Sequence, residues 1–233
     1  MTYSLWFDSI SGIQIPEHRN GLTEIPGQVS STKESEVPVK RSDSHPTIHF
    51  GRPGKTNTQA TLKAALRRCE ERGLRHVVVA STTGSTALKL AKMLPHSSRA
   101  VCVTHTAGFR EPGKSELPKS VETILAKHDI PVLRTTHLFS GVDRAVRLEF
   151  GGLGTPEIVA NTLRILGEGM KVAVEIAVMA LDAGLIPYGK DVCAVAGTGR
   201  GADTAVIVRP AHSRHFFKTR VKEIICKPGS GLD

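Results

Sequence analysis

From residue 57 onward the chain alternates between two spacings of apolar residues. "TQATLKAALRRCEERG" places Leu62, Ala65, Leu66 and Cys69 on one helical face and stops at Gly73. "RHVVVAS" is a short β-branched run of the kind that is buried on both faces of a sheet. The two patterns then recur. A helix in "STALKLAKML" ends at Pro95, and a strand follows in "RAVCVTHT". A helix in "SVETILAKH" has Val121, Ile124, Leu125 and His128 on one face, and "PVLRTTHLF" is a third strand. "TPEIVANTLRILGEGMKVAVEIAVMALDAGLIP" predicts two helices. Thr155 is placed to cap, Pro156 stands at the first helical position, Gly167 and Gly169 divide the run, and Gly184 and Pro187 close it. Strands four and five follow in "DVCAVAG" and "TAVIVRP".

Strands alternating with helices predict a parallel sheet covered on both faces. Only "GTGRGAD" separates the last two strands, too short for a parallel crossover, so strand five runs antiparallel. Residues 1–46 have no sustained periodicity and are rich in Ser, Pro and mixed charge, too polar to offset the entropy of ordering. The expected organisation is a disordered leader over 1–50, an α/β domain over 51–228 and a flexible tail over 229–233.

The 233 residues suit one domain with an appendage. No apolar run approaches the ~20 residues of a membrane span, and no secretory or transit signal opens the chain, so a cytoplasmic location is expected. None of Cys69, Cys102, Cys193 and Cys226 stands at CxxC spacing, so neither a metal site nor a redox motif is expected. Cys102 and Cys193 read as buried small hydrophobes. The net charge of +9 lies entirely beyond residue 55, because residues 1–55 hold six basic and six acidic side chains. A basic domain favours anionic ligands. Nucleic acid ranks last among them, because aromatics are only 4% and the basic residues are scattered.

Three stretches resemble phosphate-binding turns. In "AVAGTGRGADTAVIV" the glycines Gly197, Gly199 and Gly201 precede a strand, so the helix that a dinucleotide fingerprint requires is missing. The stretch reads as a hairpin loop able to present backbone N–H groups to an anion. "GRPGKTNT" over 51–58 has His49 where an ATP-binding loop needs glycine, and Asn57 and Thr58 read instead as caps of the next helix. "ASTTGSTALKL" does run from a strand into a helix. There Ser81, Thr82, Thr83, Gly84, Ser85 and Thr86 offer hydroxyl and N–H groups for a phosphate. His105 and His137 each follow a threonine at the carboxyl end of a predicted strand, where open α/β sheets bind ligands. Ser81, His105, His137 and the loop 197–203 are therefore expected to converge on one crevice. Glu175, within an apolar helix, reads as a buried carboxylate paired with a nearby Arg or Lys. That apolar segment also permits a homo-oligomer interface.

"VVVASTTGSTALKLAKMLPHSSRAVCVTHT" and "GTGRGADTAVIV" resemble the C-terminal α/β domain of pyruvate kinases. "PGKTNT", "VTHTAGFREPG", "THLFSGV", "TLRILGEGMKVAVEIAVMALDAGLIP" and "GADTAVIVRPAH" resemble stand-alone archaeal-type members of that family. The resemblance spans about residues 51–228. It implies a three-layer α/β/α sandwich whose mixed five-stranded sheet has the order 3-2-1-4-5. It implies no pyruvate kinase activity, because the family's catalytic residues lie in a barrel that these motifs do not include. It points to a phosphorylated small-molecule ligand, either a sugar phosphate or flavin mononucleotide (FMN). The phosphate is expected at Thr83–Thr86, the ring beside His105, Gly108, Phe109 and His137, and one wall is expected from Gly197, Thr198, Gly199, Gly201 and Thr204. Two alternatives stand beside this binding reading. One is an enzyme using His105 and His137 as acid and base, with Asp203 as orienting carboxylate and Ser81 or Thr83 on the phosphate. The other is a nucleic-acid-binding protein.

Overall fold

A computed structural model of the chain describes residues 45–229. The elements are β1 (Ile48–Phe50), α1 (Thr58–Glu71), β2 (His76–Ala80), α2 (Ser85–Ala91), β3 (Arg99–Thr104), α3 (Lys119–Lys127), β4 (Val132–Arg134), α4 (Val142–Phe150), α5 (Thr155–Arg164), α6 (Glu168–Asp182), β5 (Val192–Ala196), β6 (Thr204–Arg209) and β7 (Arg220–Pro228). Among the described residues no helix is long and apolar enough to cross a membrane.

The strands form one mixed sheet in the order β1-β7-β6-β5-β2-β3-β4. β2 pairs in parallel with β3 and with β5, and β3 with β4. β6 runs antiparallel to β5, as the short loop between them requires. The expectation of five strands in the order 3-2-1-4-5 is corrected: among the described residues there are seven, and the order differs because β7 and β1 extend the sheet beyond β6. β7 was hidden by its charges. Arg220, Lys222 and Glu223 interrupt the apolar run of Ile224–Cys226. The Arg68 guanidinium on α1 holds Glu223 through two bonds, Nε to Oε1 at 2.6 Å and a terminal nitrogen to Oε2 at 3.0 Å. This pairing lets β7 carry a charge next to the core. β1 was assigned to the leader, yet Ile48–Phe50 pair in parallel with Cys226–Pro228. The rest of the expected leader, residues 1–44, and the tail from 230 lie outside the described residues.

Alternation along the strands splits the core in two. Val77, Val79, Cys102, Cys193, Val195 and Ile207 face α1, α2 and α3 through Leu62, Ala65, Ala87, Leu90 and Leu125. Val78, Val101, Val103, Ala194, Val206 and Val208 face α6 through Met170, Ala173, Val174, Ala177 and Leu181. The architecture is thus an α/β/α sandwich. All four cysteines are free and buried. Burial pushes the Cys102 thiol up to about 12 and that of Cys226 to about 11.

Three local expectations change. Gly167 separates α5 from α6, but Gly169 lies inside α6. A Cβ on Gly169 would overlap Thr204 at the start of β6, so glycine there sets how closely helix and strand approach. Gly154, not Thr155, occupies the N-cap of α5, and Glu157 accepts the Gly154 N–H. Asn57 occupies the N-cap of α1 as expected, but its side chain makes no capping hydrogen bond there, and Thr58 is the first helical residue. The Asn57 amide donates to the Arg52 carbonyl, while the Thr58 hydroxyl donates to the Lys55 carbonyl and accepts from the Ala202 N–H.

Candidate functional site

The parallel strands β2, β3 and β4 end side by side, and their carboxyl ends open onto a cavity of about 410 Å³. Its floor is Ala80, Ser81 and Thr82 after β2, and Val103, Thr104 and His105 at the end of β3. His137, Phe139 and Ser140 enter from the turn after β4, with side chains from α4, α5 and α6 opposite. The α4 pattern, "VDRAVRLEF", was not read as a helix. It turns Arg144 and Arg147 to the cavity and leaves Val142, Leu148 and Phe150 exposed.

Of the residues singled out from the sequence, Ser81, Thr82, His105, Phe109 and His137 line this cavity. Thr83, Gly84, Ser85, Thr86, Gly108, Gly197, Thr198, Gly199, Gly201, Asp203 and Thr204 are not among its walls. The Ser81 hydroxyl accepts the N–H groups of Thr86 and Ala87, so it organises the start of α2. Gly84 has a left-handed backbone (φ 85°) and closes against Leu117 and Val121.

The glycine-rich loop does not converge on the cavity. It interlocks with the segment before α1. Gly54 and Thr198 both donate backbone N–H groups to Asp203 Oδ2, at 2.8 and 3.1 Å. The Thr204 hydroxyl donates to Asp203 Oδ1 at 2.8 Å. Asp203 is fully buried. As orienting carboxylate for a histidine it is replaced by a residue the sequence reading missed.

That residue is Glu116. Its Oε2 lies 2.6 Å from His105 Nδ1, and its Oε1 lies 2.9 Å from Arg110 Nε. A carboxylate only accepts, so Nδ1 carries the hydrogen and the lone pair of neutral His105 sits on Nε2. Nε2 faces the Thr82 hydroxyl at 3.4 Å. The Thr82 carbonyl in turn accepts the Thr104 hydroxyl at 2.9 Å, which ties the ends of β2 and β3 together. The rings of His105, Phe109 and His137 pack on one another, with centroids 4.1 to 5.4 Å apart. Burial holds His137 below the usual imidazole range. Glu175 opposes that shift in part, and His105, Lys171 and Arg144 reinforce it.

Opposite the histidines, Lys171 Nζ donates to Glu175 Oε2 at 2.5 Å, and both side chains are buried. Glu175 Oε1 accepts the Phe139 N–H at 3.2 Å. The expected buried carboxylate with a basic partner is thus present, and the partner is one helical turn away. Arg147 pairs with Glu157, and Arg164 with Glu168, each at 2.6 Å. Every carboxylate in the cavity wall is therefore matched by a cation. Arg144 is left over: among the described residues it meets no carboxylate and donates only to the Ser140 hydroxyl, at 3.2 Å. Such a lining can attract one anion, stack a flat or apolar group on Phe109, and move a proton at His105 Nε2. No three His, Cys, Asp or Glu side chains among the described residues gather to hold a metal ion.

Among solved structures, the chain is similar to a pyruvate kinase from Cryptosporidium parvum, at 18% identity over 65% of this chain and 22% of that one, with a TM-score of 0.36. A second match is a Cryptosporidium parvum pyruvate kinase in complex with ADP, at 20% identity over 65% and 23% of the two chains, with a TM-score of 0.34. The chain spans less than a quarter of the length of those enzymes. The family model described as pyruvate kinase, alpha/beta domain, matches residues 59–208, which run from α1 through β6 and include every wall of the cavity. The chain belongs to the pyruvate kinase alpha/beta domain family.

Proposed function

We propose that the cavity binds a phosphorylated small molecule, with FMN or a sugar phosphate as the candidates. The observation that carries this reading is the unmatched cation Arg144, in a cavity whose other charges are paired. A phosphate supplies the missing negative charge and accepts several hydrogen bonds from the guanidinium. The rest of the ligand lies toward Phe109 and the two histidines, an apolar surface suited to a flavin ring or the face of a sugar. The volume is within the usual range for small-molecule sites. Pyruvate kinase turnover is no part of this function.

Calorimetry with FMN, fructose 1,6-bisphosphate and inorganic phosphate tests the reading. At least one phosphorylated compound binds, the affinity falls about tenfold or more in Arg144→Ala as a charge-assisted contact is lost, and the dephosphorylated compound binds far more weakly. Absence of binding by all three, or binding that Arg144→Ala leaves unchanged, sinks it.

A further inference from the structure

Four features meet at the cavity, and binding alone does not explain their combination. A histidine has one nitrogen fixed by a carboxylate at 2.6 Å. That carboxylate is itself held from its other oxygen by Arg110. The free nitrogen is turned to a hydroxyl, Thr82. Arg144 and Lys171 stand in the same cavity wall. For simple recognition of a phosphate, a histidine would donate from both nitrogens. In the neutral ring, with Nδ1–H held by Glu116, it is the Nε2 lone pair that is left on the Thr82 side of the cavity. A lone pair aimed at a phosphoryl group is the arrangement of a nucleophile.

We propose that His105 accepts a phosphoryl group on Nε2 from an activated phosphoryl donor, an acyl or enol phosphate, and passes it to water or to an acceptor hydroxyl. The proposal rests on the reading of this cavity as a phosphate site. In the first step the Nε2 lone pair forms the N–P bond, and the P–O bond to the leaving group breaks. Its electron pair departs with that oxygen, as carboxylate or enolate. The ring becomes a phosphoimidazolium whose Nδ1–H remains bonded to Glu116, so the new positive charge sits against a carboxylate. Arg144 is the nearby unpaired cation for the phosphoryl oxygens, and the Thr82 hydroxyl, released from Nε2, can donate to one of them. In the second step the acceptor oxygen bonds to phosphorus and the N–P pair returns to Nε2. The acceptor's proton leaves on phosphate or to solvent. His105 is the nucleophile, and Glu116 is a positioning residue.

The test uses the whole protein with acetyl phosphate as donor, followed by intact-mass spectrometry and phosphorus NMR. One phosphoryl group is expected on His105, lost in mild acid and stable in base. His105→Ala takes up none. Glu116→Gln slows labelling about tenfold or more, as loss of a histidine-orienting carboxylate does elsewhere, with an unchanged melting temperature. Glu116→Asp recovers part of the rate, and Arg110→Ala reports on the same carboxylate if Glu116→Gln does not fold. His96→Ala, which lines a different cavity with Lys127 and His128, labels like the parent chain. No adduct, or an adduct that survives His105→Ala, overturns the proposal. If FMN, fructose 1,6-bisphosphate or inorganic phosphate still binds in calorimetry in that case, the binding reading stands alone; if none of the three binds, both fall.

Discussion

The backbone N–H of Gly54 donates to Asp203 Oδ2 at 2.8 Å, a contact between residues 149 apart in sequence. It fastens the segment before α1 to the loop between β5 and β6, and Thr198 shares the same oxygen. Two stretches that each look like phosphate loops thus hold each other. Asp203→Asn keeps the size of the side chain but can place an amide N–H against two backbone donors. The expected loss of stability is about 1–3 kcal/mol, read as a lower urea midpoint. The phosphate binding proposed for the separate cavity should not change.

Gly201 has φ 79°, and a Cβ there would overlap Lys55 Cα and the Thr58 hydroxyl. Gly201→Ala combines a left-handed alanine with a backbone clash, for a cost of roughly 1–3 kcal/mol. Gly199 has a similar φ of 73° but open space around it. Gly199→Ala should therefore cost less than Gly201→Ala in the same denaturation series.

The Lys171–Glu175 pair predicts non-additivity. Removing one partner leaves a buried charge, so Lys171→Met and Glu175→Gln each lose about 3–5 kcal/mol. The double variant Lys171→Met/Glu175→Gln should recover much of that loss. Thermal unfolding of all four proteins gives the coupling directly. Additive losses would show that the pair does not act as a unit.

His137 gives stability a dependence on pH. Its folded value is depressed, chiefly by burial, so the folded state prefers the neutral ring. The unfolded chain binds the proton more readily, so this contribution is present above the ordinary imidazole range. It is lost as pH falls through the folded value. Urea titrations at pH 7.5 and 5.5 should show a larger drop for the parent than for His137→Asn. An equal drop in both would assign the acid sensitivity to other groups.

Apart from α4, which buries no residue, the repeating patterns of residues 58–209 were legible because each helix buries one consistent face and the central strands are apolar on both. β7 was not, since Glu223 sits near the core against Arg68, a partner 155 residues away, with Arg72 also within ion-pair reach. β1 was missed because three residues carry no periodicity. At the site, His105 and His137 stood out by their places at strand ends, and Glu175 by its lone charge in an apolar helix. Glu116 was invisible, because it reaches His105 from an irregular loop where spacing means nothing. The i, i+4 spacing of Lys171 and Glu175 was present in the sequence and could have named the pair. The loop 197–203 misled because glycines that permit close packing look the same as glycines that bare N–H groups to a ligand.

β1 lies parallel to β7, the last strand of the sheet. During synthesis β1 therefore waits for β7, with its backbone donors and acceptors unmatched while β2 to β6 are made. Its three residues are short enough to be a poor template for pairing with another chain during that wait. This side of the sheet is thus completed only once β7 has been made, and a chain truncated before residue 220 would keep β1 while losing what it pairs with.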